Sequence, residues 1–447
     1  MDTNSIIPTT HVCRYWRYSI ISTPENWTRI SGERIGLAKL SLQRCKSTPL
    51  KVWVGIRQDK VTREFFDLMA PYIRNTKALN VGSGLDPKEF TPTLRKIFPL
   101  TPNLRSLSLV RGPWRPLLGQ TNDPCDQLTS PLTDLFLSDI PLYPSLMRLR
   151  SLTSFTIDNY QFNLPLDTLL DFLGENRSLE QAALGITFTQ PSLRTSRPRV
   201  PIKNRLRRLV IASDCATDII VLASKIAIQT GAHLTAGLSK PDGGSEFIRP
   251  VVSATHLMNL HSPTFLKYCP DKMGMRNIRL LGPNGSCSLK RQSGSAAVFV
   301  EFPLLPLDVI QTVQLKHRVS IFSHSGPTRT VFPPLFFPAL ETLIIEHETA
   351  MSFLLSDFFS NPSSSPSLKT FAFLDCHLDK GFMKKLTRFA SHRQKIPASL
   401  HRVVVINSTG KLPPSASIDG LRKCVTVVDV HVGKELPSDL KWNSVVG

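Results

Sequence analysis

Acid is what this chain has least of, relative to its opposite. Lys and Arg total 54 against 34 Asp and Glu, a formal net charge of +20. Such a surplus favours acidic partners, whether nucleic acid, an anionic membrane surface or an acidic protein, and says nothing about fold. Long apolar runs are also missing. No stretch of eighteen apolar residues occurs, so no membrane-spanning helix is expected. The first thirty residues carry no apolar signal-peptide core. The eight cysteines, Cys13, Cys45, Cys125, Cys215, Cys269, Cys287, Cys376 and Cys424, show no C-x-x-C pair and no zinc-ligand spacing with histidine. Scattered single cysteines are commonly small buried apolar residues. A reduced, intracellular protein of the cytoplasm or nucleus is expected.

Signatures of catalysis are absent as well. There is no phosphate-binding loop, dinucleotide fingerprint, nucleophile elbow or H-E-x-x-H. Gly82-Ser83-Gly84 lacks a third glycine, and His347-Glu348 meets Met351 where a second histidine would stand. No enzyme activity, cofactor or metal is therefore expected. No nucleic-acid-binding module is recognised, so neither nucleic acid nor membrane is the expected partner.

What is present begins at His11 to Ile30, HVCRYWRYSIISTPENWTRI. Val12, Trp16 and Ile20 recur four apart and Cys13 widens the stripe, which gives one helical face an apolar character. Thr23-Pro24 stops the helix, because the residue before proline avoids the α region. Trp27 and Ile30 then return toward Trp16. Pattern alone predicts a small helical hairpin that buries both tryptophans.

The order of residue types carries a resemblance. Val-Cys-Arg-x-Trp-Arg followed by Thr-Pro-x-x-Trp resembles the second half of the F-box in the large fungal-type F-box/leucine-rich-repeat family. Ser47-Thr48-Pro49-Leu50-Lys51-Val52 resembles that family's link into its repeats. The family's first F-box half, a Leu-Pro-x-Glu-Ile-Leu-like segment, has no counterpart here, and Asn26 replaces an apolar residue. The resemblance implies a non-catalytic, substrate-recruiting F-box subunit of a cullin-RING (SCF-type) ubiquitin ligase. Val12, Cys13, Trp16, Ile20, Pro24 and Trp27 would form the F-box core or face the Skp adaptor, and the repeats would hold the target protein. The alternative is a repeat-based protein-binding scaffold with no ligase association.

Beyond this stretch one phrase recurs, apolar-x-x-apolar-x-apolar. Examples are Leu104/Leu107/Leu109, Leu132/Leu135/Leu137, Leu152/Phe155/Ile157, Met275/Ile278/Leu280, Leu340/Leu343/Ile345 and Leu368/Phe371/Phe373. The last two positions lie on one strand face. Leu50 to Ile56 alternates as a strand, while Gly36–Cys45, Leu166–Leu173 and Asp379–Ser391 carry helical periods. Pro283 to Ser295 reads as a polar, looped-out insertion. The expected fold class is α/β: an irregular leucine-rich-repeat solenoid at 49–447, preceded at 1–48 by a partial F-box-like helical segment and linker.

Two basic stretches stand out. Arg194, Arg197, Arg199, Lys203, Arg205, Arg207 and Arg208 lie within fifteen residues that hold no acid. They read as a patch for an acidic partner, as a nuclear import signal, or as a solvated loop running into the Leu206 strand. Lys380, Lys384, Lys385, Arg388, Arg393 and Lys395 read as the solvated side of a helix and its exit.

Overall fold

The computed structural model describes residues 13–55, 59–82, 87–110, 123–162, 166–188, 200–201, 205–227, 232–238, 265–268, 275–282, 285–292, 309–316, 337–346, 355, 359–360, 365–395, 399–408, 412–433, 435–438 and 440. The chain divides into two compact units, Met1–Leu206 and Arg207–Gly447.

The first unit opens with helix α1 (Arg14–Ser22), a 3-10 turn (Pro24–Trp27) and strand β1 (Arg29–Ser31). Helix α2 (Ile35–Cys45) leads to β2 (Leu50–Val54), α3 (Asp59–Met69) to β3 (Thr76–Val81), and α4 (Pro87–Ile97) to β4 (Ser106–Val110). Strands β5 (Asp134–Ser138) and β6 (Ser154–Phe162) are joined through only a 3-10 turn at Leu146–Arg148. Helix α5 (Leu166–Glu175) precedes β7 (Gln181–Phe188). Each strand pairs in parallel with the next, from β1 to β7. Period-2 alternation decides the faces. Val52, Leu79, Leu107, Leu135, Phe155 and Ala182 form one buried row, and Val54, Val81, Leu109, Leu137, Ile157 and Leu184 the next. Leu169, Phe172 and Leu173 of α5 are buried, and the Phe172 ring meets Phe155 edge-on with centroids 4.9 Å apart.

In the second unit, β8 (Arg208–Ser213) is followed by α6 (Ala216–Lys225) and β9 (His233–Leu238), which pairs in parallel with β8. Strands β10 (Phe265–Tyr268), β11 (Met275–Gly282) and β12 (Gly285–Gln292) then interrupt the parallel order. β11 is antiparallel to both β10 and β12, while β12 pairs in parallel with β9. β10 runs parallel to β13 (Thr312–Lys316). From β13 a five-stranded parallel sheet continues through β14 (Thr342–Glu346), β15 (Thr370–Leu374), β16 (Arg402–Asn407) and β17 (Val427–Val432). Helix α7 (Lys380–Gln394) connects β15 to β16, and α8 (Ser415–Arg422) connects β16 to β17. The core here is buried on both sides of the strands. Phe371, Phe373, Phe382 and Phe389 pack as rings on one side, and Ile344, Ala372, Val404 and Ile406 cluster on the other.

This architecture corrects the expected one. The protein is α/β, but as parallel sheets with few helices, not as a leucine-rich-repeat solenoid behind an F-box-like helical segment. The apolar triplets encode buried strands. They do not encode a constant return path, and the returns differ: α-helix at β2–β3, 3-10 turn at β5–β6, and an antiparallel hairpin between β11 and β12. The Met275 triplet lies in that antiparallel strand. The N-terminal hairpin is corrected too. Trp27 is 1% exposed but Trp16 is 52% exposed, and the chain after Trp27 enters strand β1 rather than a second helix. Residues 285–292, read as a looped-out insertion, form β12 because strands pair on both of its sides.

Candidate functional site: the open face of the first sheet

In the first unit the face opposite the apolar rows carries a different chemistry. The register aligns Arg29, Lys51, Ala78, Ser106, Asp134, Ser154 and Gln181 in one row across seven strands. A second row holds Ser31, Trp53, Asn80, Ser108, Phe136, Thr156 and Ala183. Polar and charged side chains dominate both rows. Trp53 and Phe136 are the exposed large apolar residues among them, at 49% and 37%.

At the β1–β4 end lies a cavity of about 560 Å³, within the range of ligand and peptide pockets. Its lining combines open-face residues of β1 to β4, and Ile30, Val52 and Leu79 between them, with Arg34 at the start of α2 and Leu37, Ala38 and Ser41 on one side of that helix. The charge there is lopsided: Arg29, Arg34 and Lys51 against Glu33. Two polar atoms on the wall, Asn80 Oδ1 and Ser41 Oγ, are buried with no hydrogen-bond partner, and Ser41 as a residue is only 1% exposed. Buried polar atoms are ordinarily paired.

The position of Trp53 depends on glycine. A Cβ on Gly55 would fall 2.3 Å from Trp53 Nε1, and one on Gly82 would stand 4.0 Å from it. The indole therefore lies along the strand ends over Gly55, where any side chain would displace it. Farther along the face, a Cβ on Gly185 would come within 2.8 Å of Asp158 Oδ1. Asp134 and Asp158 make the β5–β6 end acidic, so the face is positive at one end and negative at the other.

The N-terminal residues singled out from the sequence are split by the structure. Cys13 caps α1, its sulfur accepting from Trp16 N at 3.5 Å. Cys13, Tyr15, Trp16 and Tyr18 are exposed, and Ile20 is the residue of α1 that is buried. Trp27 is fixed firmly. Its Nε1 donates to Ile20 O at 3.1 Å, and the Arg44 guanidinium lies 4.5 Å from its ring centroid. Pro24 is half-buried at the start of the 3-10 turn. Val12 lies outside the described residues.

Of the first basic stretch, Arg194, Arg197, Arg199 and Lys203 lie outside the described residues, while Arg205, Arg207 and Arg208 are exposed. The second stretch needs a correction. Lys380, Lys384, Lys385 and Lys395 are exposed, but Arg393 is fully buried. Among the described residues no group of three His, Cys, Asp or Glu side chains could hold a metal, and no helix is long and apolar enough to cross a membrane.

Sequence reasoning passed over Lys51, Trp53, Asn80 and Phe136. A signal did exist: in the alternating stretch Leu50–Val54, Trp53 falls on the face opposite its apolar partners. No family model matches the chain, and no curated protein matches it.

Proposed function

We propose that the chain is a non-catalytic recruiting subunit with two protein-binding surfaces. The N-terminal segment docks a helical adaptor, and the open sheet face holds the protein to be delivered. The observation that carries the first part is the exposed aromatic surface of α1: Tyr15, Trp16 and Tyr18 all stand in solvent, Tyr15 and Tyr18 on one face and Trp16 on another. A nine-residue helix is marginal by itself. Each such ring can bury roughly 150–250 Å² in an interface, where Tyr and Trp are enriched. Arg14 and Arg17 beside the rings suit an adaptor surface with acidic groups.

The residue order from Val12 to Trp27 suggests which adaptor. By its resemblance to the F-box family, the partner is the Skp adaptor of a cullin-RING ubiquitin ligase, and the function is recruitment of a protein for ubiquitination. A second reading, a protein-binding scaffold without ligase association, draws support from the passage of the chain straight from Trp27 into β1.

Calorimetric titration with the Skp adaptor separates the two. The chain itself should bind weakly, and a version with a complete F-box helix fused before Thr9 should bind well. Trp16→Ala in the fused version should weaken binding at least tenfold, about 1.4 kcal/mol. A fused chain that is folded yet does not bind leaves the scaffold reading.

A further inference from the structure

We infer that the sheet face of the first unit binds an extended peptide of defined polarity, acidic over β1–β2 and apolar about four residues farther on. The inference rests on the reading of this face as the target-holding surface and names the chemistry of what is held.

Charge sets one end. Lys51 projects from the face beside Trp53, with Arg29 and Arg34 on the same cavity wall. Carboxylates placed there are attracted, and Trp53 offers a rigid aromatic platform for the residue between them. The unpartnered atoms add a second, independent pointer. Asn80 Oδ1 can only accept a hydrogen bond, and a peptide N–H is a donor. Ser41 Oγ can donate to a peptide carbonyl or carboxylate.

Spacing sets the other end. Trp53 and Phe136 share a row and are separated by three strand-to-strand steps. At about 4.8 Å per step this is roughly 14 Å. An extended peptide covers that distance in about four residues. Phe136 would receive an apolar side chain. Asp134 beside it, and Asp158 on the next strand, repel a carboxylate and accept a basic residue. A ligand whose charges were exchanged relative to its apolar residue would put like charges together at both ends, so the face reads the arrangement of side chains as well as their composition.

The test uses the full chain and fluorescence anisotropy. The probe is a labelled peptide of about ten residues with glutamates first, then leucine about four residues on, then lysine. A peptide of the same composition with its glutamates and lysine interspersed and leucine at one terminus is the comparison, because a peptide in simple reverse order could bind by turning end for end. The expected result is binding of the first peptide at least about tenfold tighter than the second. Lys51→Glu and Trp53→Ala should each weaken it about tenfold. Lys385→Glu, the same charge change on an exposed lysine of the second unit, should alter it by less than about twofold. Thermal melts of each variant confirm folding.

Equal binding of both peptides overturns the inference. So does an equal effect of Lys51→Glu and Lys385→Glu, which would mean attraction to net charge alone. Tighter binding of a single-stranded oligonucleotide than of either peptide would replace it with a nucleic-acid face. The adaptor titration is a separate measurement on α1, so either result can fail without the other.

Discussion

Arg393 shows what a single residue can hold. It is fully buried, and its guanidinium spreads three hydrogen bonds over one turn: Nη1 to Ser365 O at 2.9 Å, Nη2 to Leu368 O at 2.9 Å and to Pro366 O at 3.3 Å. Its Cζ also stands 5.5 Å from the Phe389 ring centroid. Burial lowers its pKa from the ordinary arginine value. The planar fork suits three carbonyls, and a lysine ammonium does not reproduce it. Arg393→Ala should leave those carbonyls without their donor and cost about 3–5 kcal/mol, and Arg393→Lys should recover only part of the loss. Urea unfolding of the three proteins checks this. Cys125 gives a pH-dependent case. Burial, then Asp123 and Asp126, push its thiol well above the ordinary range. A group raised in the folded state stabilises fully below its unfolded value. That stability is lost as pH climbs from about 8.5 toward the folded pKa. Stability should therefore decline at alkaline pH, and Cys125→Ala should lessen the decline. Iodoacetamide at neutral pH should label the exposed Cys13 and Cys215 long before Cys125.

At the scale of elements, two strands end in the same unusual way. Asp139 follows β5 with φ of 53°, and Asp375 follows β15 with φ of 54°. Asp and Asn enter this left-handed region more readily than other side chains, but glycine does so at less cost. The two sites differ in what the carboxylate does. Asp375 Oδ1 accepts from Ser408 N at 2.6 Å, which ties the end of β15 to the end of β16. For Asp139 the tie is through the backbone, its N–H donating to Asp158 O at 2.8 Å. Asp139→Gly should thus shift stability by less than about 1 kcal/mol, whereas Asp375→Gly should cost about 1–2 kcal/mol. Thermal melting of both variants tests the contrast. The strands of the first unit were legible, because burial on one face writes a period of two into Leu107-x-Leu109 or Leu135-x-Leu137. The site was not. Trp53, Asn80 and Phe136 occupy the positions between, and an apolar pattern records only the face that is hidden. Arg393 was misread for a related reason: charge usually means solvent, and the carbonyls that bury it come from residues 365–368. Residues 285–292 look like a loop by composition and become a strand through two partners, the adjacent 275–282 and the more distant 233–238.

For the whole molecule, the surplus of twenty positive charges sets behaviour in solution. It should give weak binding to any polyanion. On duplex DNA the logarithm of affinity should fall with the logarithm of salt by about 0.9 for each phosphate neutralised. Replacing the exposed Arg205, Arg207 and Arg208 with alanine should reduce that slope if the stretch from Arg194 to Arg208 contributes. An unchanged slope would assign those arginines to simple solvation. Anisotropy of a labelled duplex between about 50 and 200 mM salt provides the measurement. The boundary between the two compact units falls inside this same stretch, after Leu206.

The order of strand pairing in the first unit bears on how the protein is made. Strands β1 to β7 each find their neighbour in the next segment to leave the ribosome, so every new strand meets a finished template. Synthesis at about 5–20 residues per second leaves one to several seconds between strands, ample time for docking. In the second unit β13 to β17 follow the same rule, but the strands before them do not. β9 takes β12 and β10 takes β13 as a second partner, so one edge of each waits for chain not yet synthesised. The first unit can therefore be built as it emerges, while β9 and β10 must hold one edge open until β12 and β13 arrive, and it is in that interval that a chaperone would have most to protect.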